Sequence, residues 1–256
     1  MTMTIVTSRT VGETAAAFPG TVEVFQRHGI DFCCGGGRAL AEVCAERGIG
    51  LDELVRELDE AAVAPAPVGP DWNGARLAEL SRHIQARYHE TLRAELPRLD
   101  ALMDKVLRVH GARHPELATL AREYARLHDE LLPHMVKEER VLFPYVAHLE
   151  QLEDAGAKLA GSPFGSVQNP ISVMLQEHEA AGTILAELRR LSRGFTTPAD
   201  ACNSFRGLYH GLAELERELH EHIHLENNVL FPRAVILEDK LRGSGGRARG
   251  SGPRER

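Results

Sequence analysis

An eleven-residue stretch occurs twice in this chain, and nothing else in the sequence restricts its fold so tightly. His134-Met-Val-Lys-Glu138-Glu-Arg-Val-Leu-Phe-Pro144 returns as His222-Ile-His-Leu-Glu226-Asn-Asn-Val-Leu-Phe-Pro232. His, Glu, Val, Leu, Phe and Pro coincide at an offset of 88 residues. Upstream, Leu127, Glu130 and Leu131 are matched by Leu215, Glu218 and Leu219 at the same offset. Agreement at so many positions points to a duplicated helix pair, and two helix pairs joined by short turns fold as a four-helix bundle.

Apolar periodicity supports that reading. Leu77, Leu80, Ile84, Leu92, Leu96 and Leu99 recur at helical steps. The pattern predicts helices over about 73–109, 115–152, 170–192 and 198–237, with Thr197 as the N-cap of the last and Pro198 at its first position. Pro133, Pro144 and Pro232 are expected to kink their helices, the last two where the chain bends away. No segment alternates like a strand. The expectation is an all-α chain: a small helical module over 1–60, an Ala/Pro-rich linker over 61–72, a four-helix bundle over 73–240 and a disordered Gly/Ser/Arg-rich tail over 241–256.

The repeat also carries chemistry. Residues i and i+4 share a helix face, so His134/Glu138 and His222/Glu226 each aim an imidazole and a carboxylate at one place. An isolated pair of this kind is ordinarily a solvated surface contact. Here each copy has a partner helix with its own histidine at a similar distance upstream, His89 before His134 and His178 before His222. The duplication thus supplies His89, His134, Glu138, His178, His222 and Glu226. A bare carboxylate buried in the bundle costs several kcal/mol, roughly, unless a cation or donors compensate it. Four imidazole nitrogens and two bridging carboxylates suit two octahedral ions sharing an oxo or hydroxo bridge, with about one position open on each. Nitrogen and oxygen donors without thiolate favour iron or manganese over tetrahedral zinc, and iron is the expectation. Glu139 and Glu177 flank ligands and are placed to support them.

Formal net charge is −7, so no broad basic surface is available for nucleic acid. No apolar run approaches the length of a bilayer span. Residues 1–14 lack a basic segment followed by an apolar one, so no secretory signal is expected. Four cysteines without disulfide-like spacing suggest a reducing cytoplasm. Two of them, Cys33 and Cys34, are adjacent and precede three glycines and an expected helix start near Arg38. A helix N-terminus there would lower a thiol pKa and favour thiolate chemistry. Cys44 and Cys202 read as packing residues.

The two eleven-residue stretches resemble the hemerythrin-like domain. Joined to Gly29-Ile-Asp-Phe-Cys-Cys-Gly-Gly36, they resemble the iron–sulfur cluster repair di-iron proteins over nearly the whole chain except its C-terminal tail. That resemblance implies a non-haem di-iron centre, oxo- and carboxylate-bridged, on the same six residues. It also implies a redox, nitric oxide or iron-transfer role for Cys33 and Cys34. The function it implies is repair of clusters damaged by oxidative or nitrosative stress, by supplying iron to damaged iron–sulfur client proteins. Alternatives left open are a di-iron nitric oxide or peroxide reductase, and a module sensing oxygen or nitric oxide. A homodimer is compatible with the sequence.

Overall fold

The computed structural model describes residue 5, residues 9–63 and residues 70–243. The expected disorder beyond Gly243 and half of the expected linker, residues 64–69, lie outside the described residues. The first module holds α1 (Val11–Ala17), α2 (Val22–Arg27), α3 (Leu40–Arg47) and α4 (Leu51–Val63), with a 3₁₀ turn at Pro19–Thr21. Helix α1 starts on a capping box: Thr10 Oγ1 accepts from the Glu13 backbone, and Glu13 Oε2 accepts from the Thr10 backbone. Helix α4 continues through Val63, so Ala61 to Val63 are helical rather than linker.

The bundle follows. Its first helix comprises α5 (Leu77–Ile84), a π segment (Gln85–His89) and α6 (Glu90–His110). The second comprises α7 (Glu116–Lys137), a π segment (Glu138–Leu142) and α8 (Phe143–Asp154). The third is α9 (Gln168–Leu191), and the fourth comprises α10 (Asn203–His224), a π segment (Leu225–Leu230) and α11 (Phe231–Arg242). The fourth helix begins at Asn203, five residues after the expected Pro198. Pro198 instead closes a turn whose carbonyl accepts from Ala201. Among the described residues the sole β feature is a single bridge between Thr10 and Ala39, so the fold is all-α with no strand. No helix there is long and apolar enough to cross a membrane.

The prolines act through the π segments. Pro144 and Pro232 have no N–H to return to the carbonyl four residues back. Just before each, the ladder steps to five: Phe143 donates to the Glu138 carbonyl, and Phe231 to the Glu226 carbonyl. The extra residue re-phases the helix, and Leu142, Phe143, Leu230 and Phe231 all become buried. Pro133 sits inside α7 without ending it. No proline accounts for the π segment at Gln85–His89.

Two apolar clusters result, one on each side of a polar layer. One is built around Leu96, Leu99, Leu120, Leu127, Leu188 and Leu212. The other contains Leu80, Ile84, Phe143, Ile171 and Phe231. The duplication extends into the capping: Glu150 and Glu238, again 88 apart, each turn a buried carboxylate onto the start of a partner helix. Glu150 accepts from the Leu77 and Ala78 backbone, and Glu238 from the Val167 backbone. These carboxylates take up N–H groups that have no partner within their own helix.

Candidate metal centre

All six residues selected by the repeat meet in the polar layer, and all six are buried. They form two half-sites. His89, His222, Glu138 and Glu226 place one donor atom each within 4.8 Å of one another, and so do His134, His178, Glu138 and Glu226. The Nε2 atoms of His89 and His222 lie 3.1 Å apart, and those of His134 and His178 lie 3.0 Å apart. Metal–nitrogen bonds of about 2.0–2.1 Å put adjacent donors on one ion at such separations. Glu138 Oε2 is 3.4 Å from His89 Nε2 and 3.3 Å from His134 Nε2. Glu226 reaches His222 at 3.0 Å and His178 at 3.3 Å. Each carboxylate therefore touches both half-sites, as a bridging ligand must.

The donors also fit a cation by what they lack. Both oxygens of Glu138, one oxygen of Glu226 and Nδ1 of His222 are buried without a hydrogen-bond partner among the described residues. Orphaned carboxylate oxygens in an apolar bundle are costly, and cations remove that cost. Burial by itself would raise the Glu138 carboxyl and lower the His134 imidazole. The ion pair between them outweighs burial. It holds Glu138 well below the usual carboxylate range and His134 up to about 9.

The histidine pairing crosses the duplication: each half-site takes one imidazole from each repeat. The surroundings of each ring obey the repeat and then depart from it. Phe143 stacks on His89 with ring centres 5.9 Å apart, and Phe231 stacks on His178 at 6.0 Å. His89 Nδ1 meets Glu139 Oε1 at 2.7 Å, and Glu139 is itself held by Arg93. At the equivalent place in the second repeat stands Asn227, whose Oδ1 is 2.7 Å from His178 Nδ1. His134 Nδ1 meets Glu177 Oε2 at 2.9 Å, and Lys137 pairs with the same carboxylate. Tyr88 occupies the place equivalent to Glu177 and stacks on His222 at 5.4 Å. Glu139 and Glu177, expected to support their neighbours, meet the His89 and His134 rings. Tyr88 and Asn227 carry no sequence signal of their own, and only the equivalence of the two repeats points to them.

The dithiol loop lies against this centre. Asp31 gathers it: Oδ1 accepts from the Cys33 and Cys34 backbone N–H groups, and Oδ2 from that of Gly35. The two sulfurs are 3.6 Å apart, and the Cys34 thiol donates to the His178 carbonyl at 3.1 Å. Helix α3 starts at Leu40, two residues after the expected Arg38. The expected thiolate is not favoured at Cys33: burial first, then Cys34 and Asp31, push its pKa well above the ordinary value.

Glycines allow the approach. A Cβ at Gly182 would lie 2.9 Å from Cys34 Sγ, and one at Gly12 would lie 2.4 Å from Asn228 Oδ1. Replacing Gly182 with Ala should therefore push the loop outward and speed alkylation of Cys34 several-fold. Timed alkylation with mass spectrometry checks this, and an unchanged rate would show that the loop yields at no cost.

Cys44 is a buried packing residue as expected, but Cys202 is exposed. It stands just before α10, where the Phe205 backbone N–H, then His110, bring its thiol down to about 7. His110 pairs with this sulfur at 3.2 Å. It lies a full α6 length from His89, about 30 Å at 1.5 Å per residue, and does not reach the centre.

Residues 80–234 match the hemerythrin HHE cation binding domain, and residues 7–62 match the ScdA_N family, a domain of unknown function. The iron–sulfur cluster repair protein YtfE of Cronobacter sakazakii is 40% identical over 228 residues, covering 89% of this chain and 96% of that one. YtfE proteins of Escherichia coli and Escherichia fergusonii are 38% identical, covering 89% of this chain and 97% of theirs. The chain belongs to the iron–sulfur cluster repair protein family. In this family member the cation-binding domain match spans all six clustered residues, and the ScdA_N match spans the dithiol loop.

Proposed function

We propose that this protein holds two iron ions on His89, His134, Glu138, His178, His222 and Glu226, and supplies iron to clusters damaged by oxidative or nitrosative stress. The observation carrying this reading is the pair of buried carboxylates, each within 3.4 Å of imidazoles from both half-sites. The names of the relatives support the repair role. Mixed imidazole and carboxylate donors without thiolate favour iron at such a centre. Iron bound there would supply Lewis-acid and one-electron chemistry. The chain's own residues do the remainder: Glu139 and Glu177 hold the His89 and His134 rings, and Phe143 and Phe231 stack on the His89 and His178 rings. Cys33 and Cys34 are assigned the exchange of iron or small molecules with a client, on the strength of the Cys34 thiol's contact with the His178 carbonyl and the Cys33 carbonyl's contact with Asn227. The setting is a reducing cytoplasm, with damaged iron–sulfur proteins as clients.

Metal analysis of anaerobically purified protein should find about two irons per chain on this donor count. The iron-loaded protein should restore activity to a cluster enzyme damaged in vitro, and the His134→Ala protein should not. Normal repair by an iron-free variant would reject iron supply.

A further inference from the structure

The second repeat differs from the first at one place that touches both the metal centre and the dithiol loop. Where Glu139 holds His89 with a carboxylate anchored by Arg93, Asn227 holds His178 with an amide. The rest of that amide is also engaged: Asn227 Nδ2 donates to the Cys33 carbonyl at 3.2 Å. A backbone carbonyl can only accept, so the NH₂ group must face Cys33 and Oδ1 must face His178. His178 Nδ1 then carries the proton, and its Nε2 lone pair points at Glu226 and His134. The loop carbonyl thus sets the tautomer and the ring orientation of one ligand.

We infer that Asn227 is a positioning residue that couples the covalent state of the Cys33–Cys34 pair to the His134/His178 half-site in particular. This rests on the two-iron reading above. Among the described residues, carboxylate-backed His89 and stacked His222 make no hydrogen bond or ring contact with the loop, whereas His178 meets it twice, through the Asn227 amide and through the Cys34 thiol on its carbonyl. A group added to Cys34 cannot be accommodated toward α9, where Gly182 already closes on the sulfur. The loop must shift, the Cys33 carbonyl moves with it, and the amide loses the anchor that orients His178. Asn228 offers a contrast, because its Nδ2 donates to the Phe32 carbonyl at 3.0 Å and its other contact is His224, not a member of the centre. It docks the loop without gripping a ligand.

The test uses full-length, iron-loaded protein in a Cys202→Ser background, so that iodoacetamide reports on the dithiol. Release of each iron equivalent to a ferrous chelator is followed before and after alkylation. Partners of metal-bound histidines are worth about 10- to 100-fold in metal affinity. Alkylation should therefore speed release of one equivalent about tenfold and leave the other within about twofold. In Asn227→Glu, which can still support the ring but cannot donate to Cys33, alkylation should change neither equivalent by more than about twofold. In Asn228→Ala the selective tenfold effect should persist. Equal acceleration of both equivalents, an undiminished effect in Asn227→Glu, or the same loss in Asn228→Ala would overturn the coupling. A wild-type protein that holds no iron would instead reject the two-iron reading itself.

Discussion

Replacing Glu138 with alanine should weaken both metal equivalents together, each by more than about 100-fold, beyond what partners of ligands contribute. The reason is geometric. One oxygen of this fully buried carboxylate lies within 3.4 Å of an imidazole from each half-site, so a single side chain serves both. His89→Ala removes a donor from one half-site and should chiefly weaken one equivalent. Metal titration of the two variants, followed by calorimetry, separates these outcomes. Loss of only one equivalent in Glu138→Ala would mean that the carboxylate does not bridge.

The metal-free protein should lose stability as pH rises from about 6.5 to 9, while the metal-loaded protein should not. His134 is raised from an ordinary 6.5 to about 9 by Glu138, against the opposing effect of burial. A raised histidine contributes stability that is complete below its unfolded pKa and is lost as pH climbs through its folded one. Glu138 is depressed, so its contribution is complete above the unfolded value of 4.5 and is lost at lower pH. Between about 4.5 and 6.5 both contributions are present. Above that window the His134 contribution fades, on the order of 2–3 kcal/mol at full loss. For a domain of this size that corresponds to a fall in Tm of roughly 5–10 °C. Bound metal replaces the proton and removes the alkaline loss. His134→Gln should flatten the profile of the metal-free protein, and an unchanged slope in that variant would assign the loss to another group.

The two halves of the centre are unlike despite their common origin. Each combines one histidine backed by a carboxylate with one that is not: His89 with His222, and His134 with His178. Carboxylate support raises ligand basicity, whereas an amide or a stacked phenol leaves it lower. The duplication thus provides a symmetric scaffold, and Tyr88 and Asn227 differentiate it. Asn227 does so on the side facing the dithiol loop.

By itself the amino-acid sequence determined the all-α class and pointed to the six residues that the fold gathers into one buried cluster. Periodicity and a repeated His-x-x-x-Glu register are local properties, and a helix converts such spacing into a shared face whatever surrounds it. Tertiary structure alone decided that His89 pairs with His222 and His134 with His178, because pairing depends on how four helices pack, not on spacing within one. It also decided the π segments, in two of which a missing proline N–H is absorbed by an i+5 step, and the fourth helix's start at Asn203. The dithiol shows the same limit: its setting is a buried loop folded around Asp31, so burial rather than a helix terminus governs Cys33. Desolvation is a property of everything packed around a group, and no local pattern in a chain records it.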